Sequence, residues 1–205
     1  MIPDGWQPAV PATQTAVIRD PAAVSHPRIV GLSGSLSAIS RTRTLLDGII
    51  GQIRTGSDAG AQIIDVAELG AALGPLRSRD QAPPELEAAF RAVEAADLLL
   101  VASPTYKGSY SGLFKHFIDF IDYKALVGRP VGLIATDGSD RHALVVEHQL
   151  RPLFAFFVAR TLPTALFVPD RAIVDGRVDD PLLRQRIDQL VEEARLVLPA
   201  RALAA

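Results

Sequence analysis

Apolar positions along the chain fall into short runs separated by longer stretches of helical period. The short segments are Ile29, Val30 and Leu32; Gln62–Val66; Leu98–Ala102; Val131–Ala135; and Ala165–Val168. Each predicts a strand, and the continuous apolar run Leu98–Ala102 predicts one buried on both faces. Between them, the spacing predicts helices over Thr44–Ile53, Pro84–Ala95, Leu113–Ile121, Asp140–Ala159 and Pro181–Leu198. In the third of these, Leu113, Phe114, Phe117, Ile118 and Ile121 recur on one face. Pro152 is expected to kink the fourth, whose second half, with Phe154, Phe156, Phe157 and Val158, is apolar nearly all round. Ala71–Ala82, with Gly74-Pro75, reads as a loop, and Asp175-Gly176 as a turn.

The alternation of strand and helix requires a parallel sheet covered on both sides. The expectation is an α/β fold with a five-stranded parallel sheet of order 2-1-3-4-5, the flavodoxin-like arrangement. Its switch point lies between strands one and three, where such folds bind their ligands. One domain, 28–198, is expected. Residues 1–27 carry Pro3, Pro8, Pro11, Pro21 and Pro27 without periodicity and read as a flexible arm; an arm docking through Trp6 on a neighbouring subunit is the alternative. From Pro199 to Ala205 a disordered tail is expected.

Composition narrows the function classes. A net charge of −2 gives no basic footprint, so nucleic acid is disfavoured as a partner. No apolar run is long enough for a membrane span, and the start lacks the basic-then-apolar pattern of a signal peptide. There is no cysteine, which removes disulfides, thiolate metal sites and cysteine nucleophiles, and with them the small cysteine-dependent tyrosine phosphatases of related architecture. The expected location is cytoplasmic.

Candidate chemistry lies in three loops, each following a buried strand. After the first strand come Ser33, Ser35, Ser37, Ser40, Thr42 and Thr44, ending at a helix start beside Arg41. Unpaired N–H groups at a helix N-terminus, with hydroxyls and a guanidinium nearby, suit a phosphate. Serine and threonine also simply cap helices, and neither reading excludes the other. The loop matches neither the dinucleotide nor the triphosphate fingerprint. After the third strand, Ser103–Ser111 is small, hydroxylated and aromatic together, which suits a flat ring lying against backbone. After the fourth comes Thr136-Asp137-Gly138-Ser139. In the predicted strand order the first two loops fall side by side.

Three segments carry a resemblance: GSLSAISRT at 34–42, SPTYKGSYSGLFK at 103–115 and SDRHALVVEHQLRPL at 139–153. They resemble the NAD(P)H-dependent FMN reductases, in particular those that partner sulfonate and other desulfurising or chelate-degrading flavin monooxygenases. The resemblance spans roughly Arg28 to Val197. It implies that Ser35, Ser40, Arg41 and Thr42 hold the FMN phosphate and that Pro104, Thr105, Tyr106, Lys107 and Gly108 border the ring. Thr136, Asp137, Gly138 and Ser139 close the ring's other edge. Tyr110 resembles a tyrosine placed at a subunit interface near the flavin. Hydride then passes from C4 of NADH or NADPH to flavin N5, directed by alignment with no catalytic side chain, and reduced FMN goes to a separate flavin-dependent monooxygenase. Homodimer or tetramer is the implied assembly. Where the family usually shows two glycines in T-G-G-S, this chain has Asp137 first, at a position expected to need left-handed backbone.

Other readings follow from the same residues. A quinone or azo reductase that keeps its FMN, or a flavodoxin-type electron carrier, would use the same fold. A serine hydrolase is excluded because GSYSG at 108–112 centres on Tyr110. His142 and His148 are six residues apart, off a common helix face, so no metal pair is expected. His116, on the third helix, reads as partly buried rather than catalytic.

Overall fold

A computed structural model of the chain describes residues 26–37, 39–174 and 177–198. The expected tail lies outside the described residues, as does the expected arm apart from His26 and Pro27, and so does the turn at Asp175-Gly176.

The sheet is built on β1 (Arg28–Ser33), β2 (Gly60–Asp65), β3 (Leu98–Pro104) and β4 (Pro130–Asp137), all parallel, in the order β2-β1-β3-β4. The fifth position is filled in two pieces. Arg160–Thr161 (β5) lies along the start of β4, and Leu166–Pro169 (β6) along its end. The order 2-1-3-4-5 therefore holds, with a broken last strand; Pro163, between the pieces, has no N–H for a ladder.

The unbroken apolar runs have a direct cause in the two cores. Leu98, Leu100 and Ala102 of β3 pack under α1 (Arg41–Arg54) and α6 (Pro181–Val197), with Leu46, Ile50, Leu190 and Ala194. Leu99 and Val101, pointing the other way, meet Phe90 of α3 (Pro84–Glu94) and Phe114 and Phe117 of α4 (Gly112–Ile118). Helix α1 sits close on the sheet. A Cβ on Gly31 would lie 2.7 Å from Ile50 Cδ1, so a side chain there would force Ile50 and its neighbours under that helix to shift.

Several boundaries depart from the pattern-based expectation. Helix α1 starts at Arg41, three residues earlier than expected, because Ser40 caps it by accepting from Arg43 N–H at 3.2 Å. Strand β2 ends at Asp65, whose carboxylate caps α2 (Val66–Leu73) through Ala67 N–H at 3.1 Å. Val66 thus opens a helix rather than closing a strand. Part of the expected Ala71–Ala82 loop belongs to α2, and part to a 3-10 turn at Arg79–Gln81.

The expected single helix over Asp140–Ala159 is three pieces: a 3-10 turn at Asp140–His142, a π-helical turn at Val146–Leu150, and α5 (Arg151–Phe156). In α register the Pro152 ring would press on the carbonyl of His148, four residues back, and the wider π turn relieves this. Pro152 itself sits in the first turn of α5, where its missing N–H costs little. Phe154 and Phe157 are buried, whereas Phe156 is 71% and Val158 66% exposed, so only half of the apolar cluster enters the core. A short antiparallel pair, β7 (Ile173–Val174) and β8 (Arg177–Val178), precedes α6.

Candidate functional site

A cleft of about 420 Å³ opens at the C-terminal ends of β1, β3, β4 and β6. Its floor is stitched together by hydrogen bonds between the loops. Gly34 N–H donates to Ala102 C=O at 2.7 Å, tying the loop after β1 to β3. Ser111 Oγ donates to Gly34 C=O at 2.8 Å while accepting from Phe114 N–H, so one hydroxyl caps α4 and anchors the first loop. Thr105 N–H donates to Thr136 C=O at 2.8 Å. The hydroxyls of Thr42 and Thr136, both buried, lie 2.6 Å apart and join the start of α1 to the end of β4.

The first loop supplies Ser35, Ser37, Ile39, Ser40, Arg41 and Thr42 to the cleft wall. Ser35 Oγ accepts from Ser37 N–H at 3.1 Å, folding the loop into a tight turn. At the helix end, the Arg43 and Thr44 N–H groups are taken by the side chain and carbonyl of Ser40. The Arg41 and Thr42 N–H groups have no intrahelical acceptor, as the first turn of any helix dictates. Capping and an anion-ready helix end therefore coexist.

The second loop contributes Pro104, Thr105 and Tyr106. Tyr106 and Ser109 exchange backbone hydrogen bonds at 2.7 and 3.2 Å, and the residues between them, Lys107 and Gly108, have φ of 52° and 83°. Positive φ at both central positions is the signature of a type I′ turn, and glycine at the second relieves it. The turn is held from behind by Ser109 Oγ, which donates to Gln149 Oε1 of the π-helical turn at 3.1 Å. Lys107 and Gly108 shape this turn and do not line the cleft. Tyr110 packs inward, its ring 5.6 Å from that of Phe114, and likewise does not line the cleft.

From the third loop come Thr136, Asp137 and Gly138, with Ser139 just outside. Asp137 is the last residue of β4, and positive φ among the described non-glycine residues is confined to Lys107 and Val158. The expectation of left-handed backbone at Asp137 is thus corrected: the strand continues through it in register with Pro169. Its carboxylate accepts from Ser139 N–H at 3.2 Å and from His142 Nδ1 at 2.5 Å, which fastens the 3-10 turn to the strand end.

Sequence reasoning missed Ile39 and Asp170 as lining residues, while Ser37, named in the first loop, lines the cleft without having been assigned to the phosphate. Asp170 follows β6, and the signal for it was available: it leaves the C-terminal end of a parallel strand, where such sites form. Asp170 Oδ2 stands 3.9 Å from Arg41 Nη1. The next residue, Arg171, donates to Asp140 at 2.6 Å and holds that carboxyl below its usual range. The turn after β6 thus clasps both the first and the third loop. His116 lies away from the cleft, edge-on to Phe120 at 5.0 Å. Among the described residues no group of three or more His, Cys, Asp or Glu is placed to hold a metal, and no helix is long and apolar enough to cross a membrane.

The sequence pattern of the NADPH-dependent FMN reductase family matches residues 27–172. An FMN reductase (NADPH) of Pseudomonas aeruginosa is 42% identical, over 85% of this chain and 94% of the relative. The NADH-dependent FMN reductase SfnF of Pseudomonas putida is 45% identical, over 80% and 89%. In three dimensions the chain is similar to the apo form of an NADH:FMN oxidoreductase, with a TM-score of 0.76 and 29% identity, covering 86% of this chain and 92% of that one.

Proposed function

The chain belongs to the NADPH-dependent FMN reductase family, and from that premise we propose that the cleft at the ends of β1, β3 and β4 is where FMN is held. The residues fit the group. The Thr105 hydroxyl is buried at the cleft with no hydrogen-bond partner, a polar atom in need of one. The α1 end with Arg41 supplies the donors a phosphate requires. The observation that carries the reading is that one cleft gathers them: the first turn of α1 with Arg41, and the unpaired Thr105 hydroxyl between Pro104 and Tyr106.

In this reading Ser35, Ser40, Arg41 and Thr42 hold the phosphate. Pro104, Thr105 and Tyr106 border the ring, with Lys107 and Gly108 fixing the turn that carries Tyr106. Thr136, Asp137, Gly138 and Ser139 form the far edge. Bound flavin supplies the hydride acceptor: NAD(P)H, FMN and a proton become NAD(P)⁺ and FMNH₂, with hydride moving from nicotinamide C4 to flavin N5. The protein's part is alignment and backbone N–H groups near the ring, without a general base.

The reduced FMN is proposed to leave for a flavin-dependent monooxygenase, in the cytoplasm; the relatives named SfnF and SfnE favour this over a quinone or azo reductase that retains its flavin. A second copy of the chain is the proposed cover for a groove of about 600 Å³ between α4 and α5, where exposed Phe156 stands beside Ile118, Leu153 and Phe157. The experiment is steady-state NADH and NADPH oxidation with free FMN, with a quinone, or with neither. Turnover with FMN as the varied substrate supports the reading; turnover only with quinone, on flavin that stays bound through gel filtration, overturns it.

A further inference from the structure

Arg41 is the guanidinium nearest the helix end that would take the flavin phosphate, and the structure already gives it an anion. Asp170, from the turn after β6, lines the same cleft and points its Oδ2 at Arg41 Nη1 across 3.9 Å. Both side chains are substantially exposed, at 64% for Arg41 and 37% for Asp170. Exposed ion pairs of this kind are weak and exchange readily.

The backbone before Asp170 is held by the sheet. Pro169 pairs in register with Asp137 at the end of β4, so Asp170, the next residue, leaves the strand beside the third loop; the exposed pair of Arg171 with Asp140, at 2.6 Å, adds little to this. An arriving phosphate meets two linked effects: Arg41 must leave Asp170, and Asp170 then faces the phosphate as a like charge.

Resting on the reading of the cleft as the FMN site, we propose that Asp170 is a specificity-setting residue that competes with the flavin phosphate for Arg41. It lowers the affinity for FMN so that the flavin exchanges as a substrate rather than staying as a fixed group. The competition acts only on flavins that carry a phosphate. Riboflavin, which offers the same ring without that charge, has nothing for Asp170 to oppose.

The test is a binding cycle read by flavin fluorescence, with FMN and riboflavin titrated into the parent, Asp170→Asn, Arg41→Ala and the double variant. Asp170→Asn is expected to bind FMN about three- to tenfold more tightly while riboflavin stays within about twofold. In the Arg41→Ala background the part of that gain that comes from freeing Arg41 should vanish, leaving only the smaller part due to like-charge repulsion, and an undiminished gain would overturn the competition. Asp170→Ser serves as the second variant, removing the carboxylate without retaining an amide that bonds Arg41. If Arg41→Ala binds FMN as the parent does, the phosphate end is misplaced and the proposal falls with the cleft reading. If Arg41→Ala weakens FMN but Asp170→Asn and Asp170→Ser leave it unchanged, or tighten riboflavin equally, the competition alone is overturned.

Discussion

The hydroxyl oxygens of Thr42 and Thr136 lie 2.6 Å apart, with both residues buried, and this contact joins the first turn of α1 to the last turn-ward residues of β4. Each hydroxyl has one proton, so the pair uses one between them and leaves one free to donate elsewhere. Thr136→Val removes a partner and strands the Thr42 hydroxyl, at a cost of about 1–3 kcal/mol. Thr42→Val should cost a similar amount, and the double variant less than the two together. Urea denaturation of the four proteins checks this; strict additivity would mean the hydroxyls do not support each other.

Ser40 and Arg41 are both proposed to hold the phosphate, but only the Ser40 substitution should also cost stability. Ser40 accepts from Arg43 N–H as the cap of α1, so Ser40→Ala should lower stability by about 1 kcal/mol. Arg41, 64% exposed, caps nothing. Arg41→Ala should leave the thermal midpoint unchanged while weakening FMN about tenfold, the loss expected of one charge-assisted bond. Midpoints and dissociation constants measured on both variants are the comparison, and it fails if Arg41→Ala lowers the midpoint or leaves FMN affinity unchanged.

The legible parts of the fold were those where one local signal had no competitor. β1, β3 and β4 are buried on both faces, and their unbroken apolar runs say so. Helix α2 was hidden because Val66 continues an apolar run, while the cap that ends the strand, Asp65, is inside it. The π-helical turn at Val146–Leu150 has no periodic signature, and Pro152 marks a break without giving its kind. In the site, ten of the expected lining positions come together because loops after adjacent parallel strands must. Asp170 was missed although the expected order already set its strand beside β4, because a lone carboxylate after that strand shows none of the hydroxyl or glycine pattern that marks the other loops.

Acid should weaken one surface network in a defined window. Hydrogen bonds from Arg79, at 3.0 Å, and Arg91, at 2.7 Å, hold the Glu87 carboxyl at about 2, below its ordinary 4.5. A folded-state value below the unfolded one gives stability that is fully present above about pH 4.5 and lost as pH falls towards 2. Asp65 has the opposite sign: burial raises its pKa, so its ionised form is disfavoured when folded and that penalty lifts as pH falls. Comparing parent with Glu87→Gln cancels the Asp65 contribution. The parent should lose stability more steeply between pH 4.5 and 2 than the variant does. Parallel curves from pH-dependent urea melts would remove Glu87 from the account.

Asp137 separates charge from shape at the edge of the cleft. Its carboxylate has two functions at once: it fastens the turn through Ser139 N–H and His142, and it places a negative charge on the wall. Asp137→Asn keeps an oxygen for Ser139 N–H and removes the charge. Repulsion between that charge and an anionic reduced flavin, partly screened by solvent, is worth about 1 kcal/mol. Asp137→Asn should therefore bind reduced FMN about fivefold more tightly and raise kcat/KM for NADPH relative to NADH, since the nicotinamide with the extra phosphate gains more. Asp137→Gly removes the same charge but also both fastenings, freeing the last residue of β4 to leave its extended conformation. Its gain in affinity should be smaller than that of Asp137→Asn, because binding must then order the turn as well. Anaerobic titration of reduced FMN and the cofactor ratio of kcat/KM measure both effects. Equal behaviour of the two variants would mean the fastenings are idle. No change in either would mean the carboxylate faces away from the flavin.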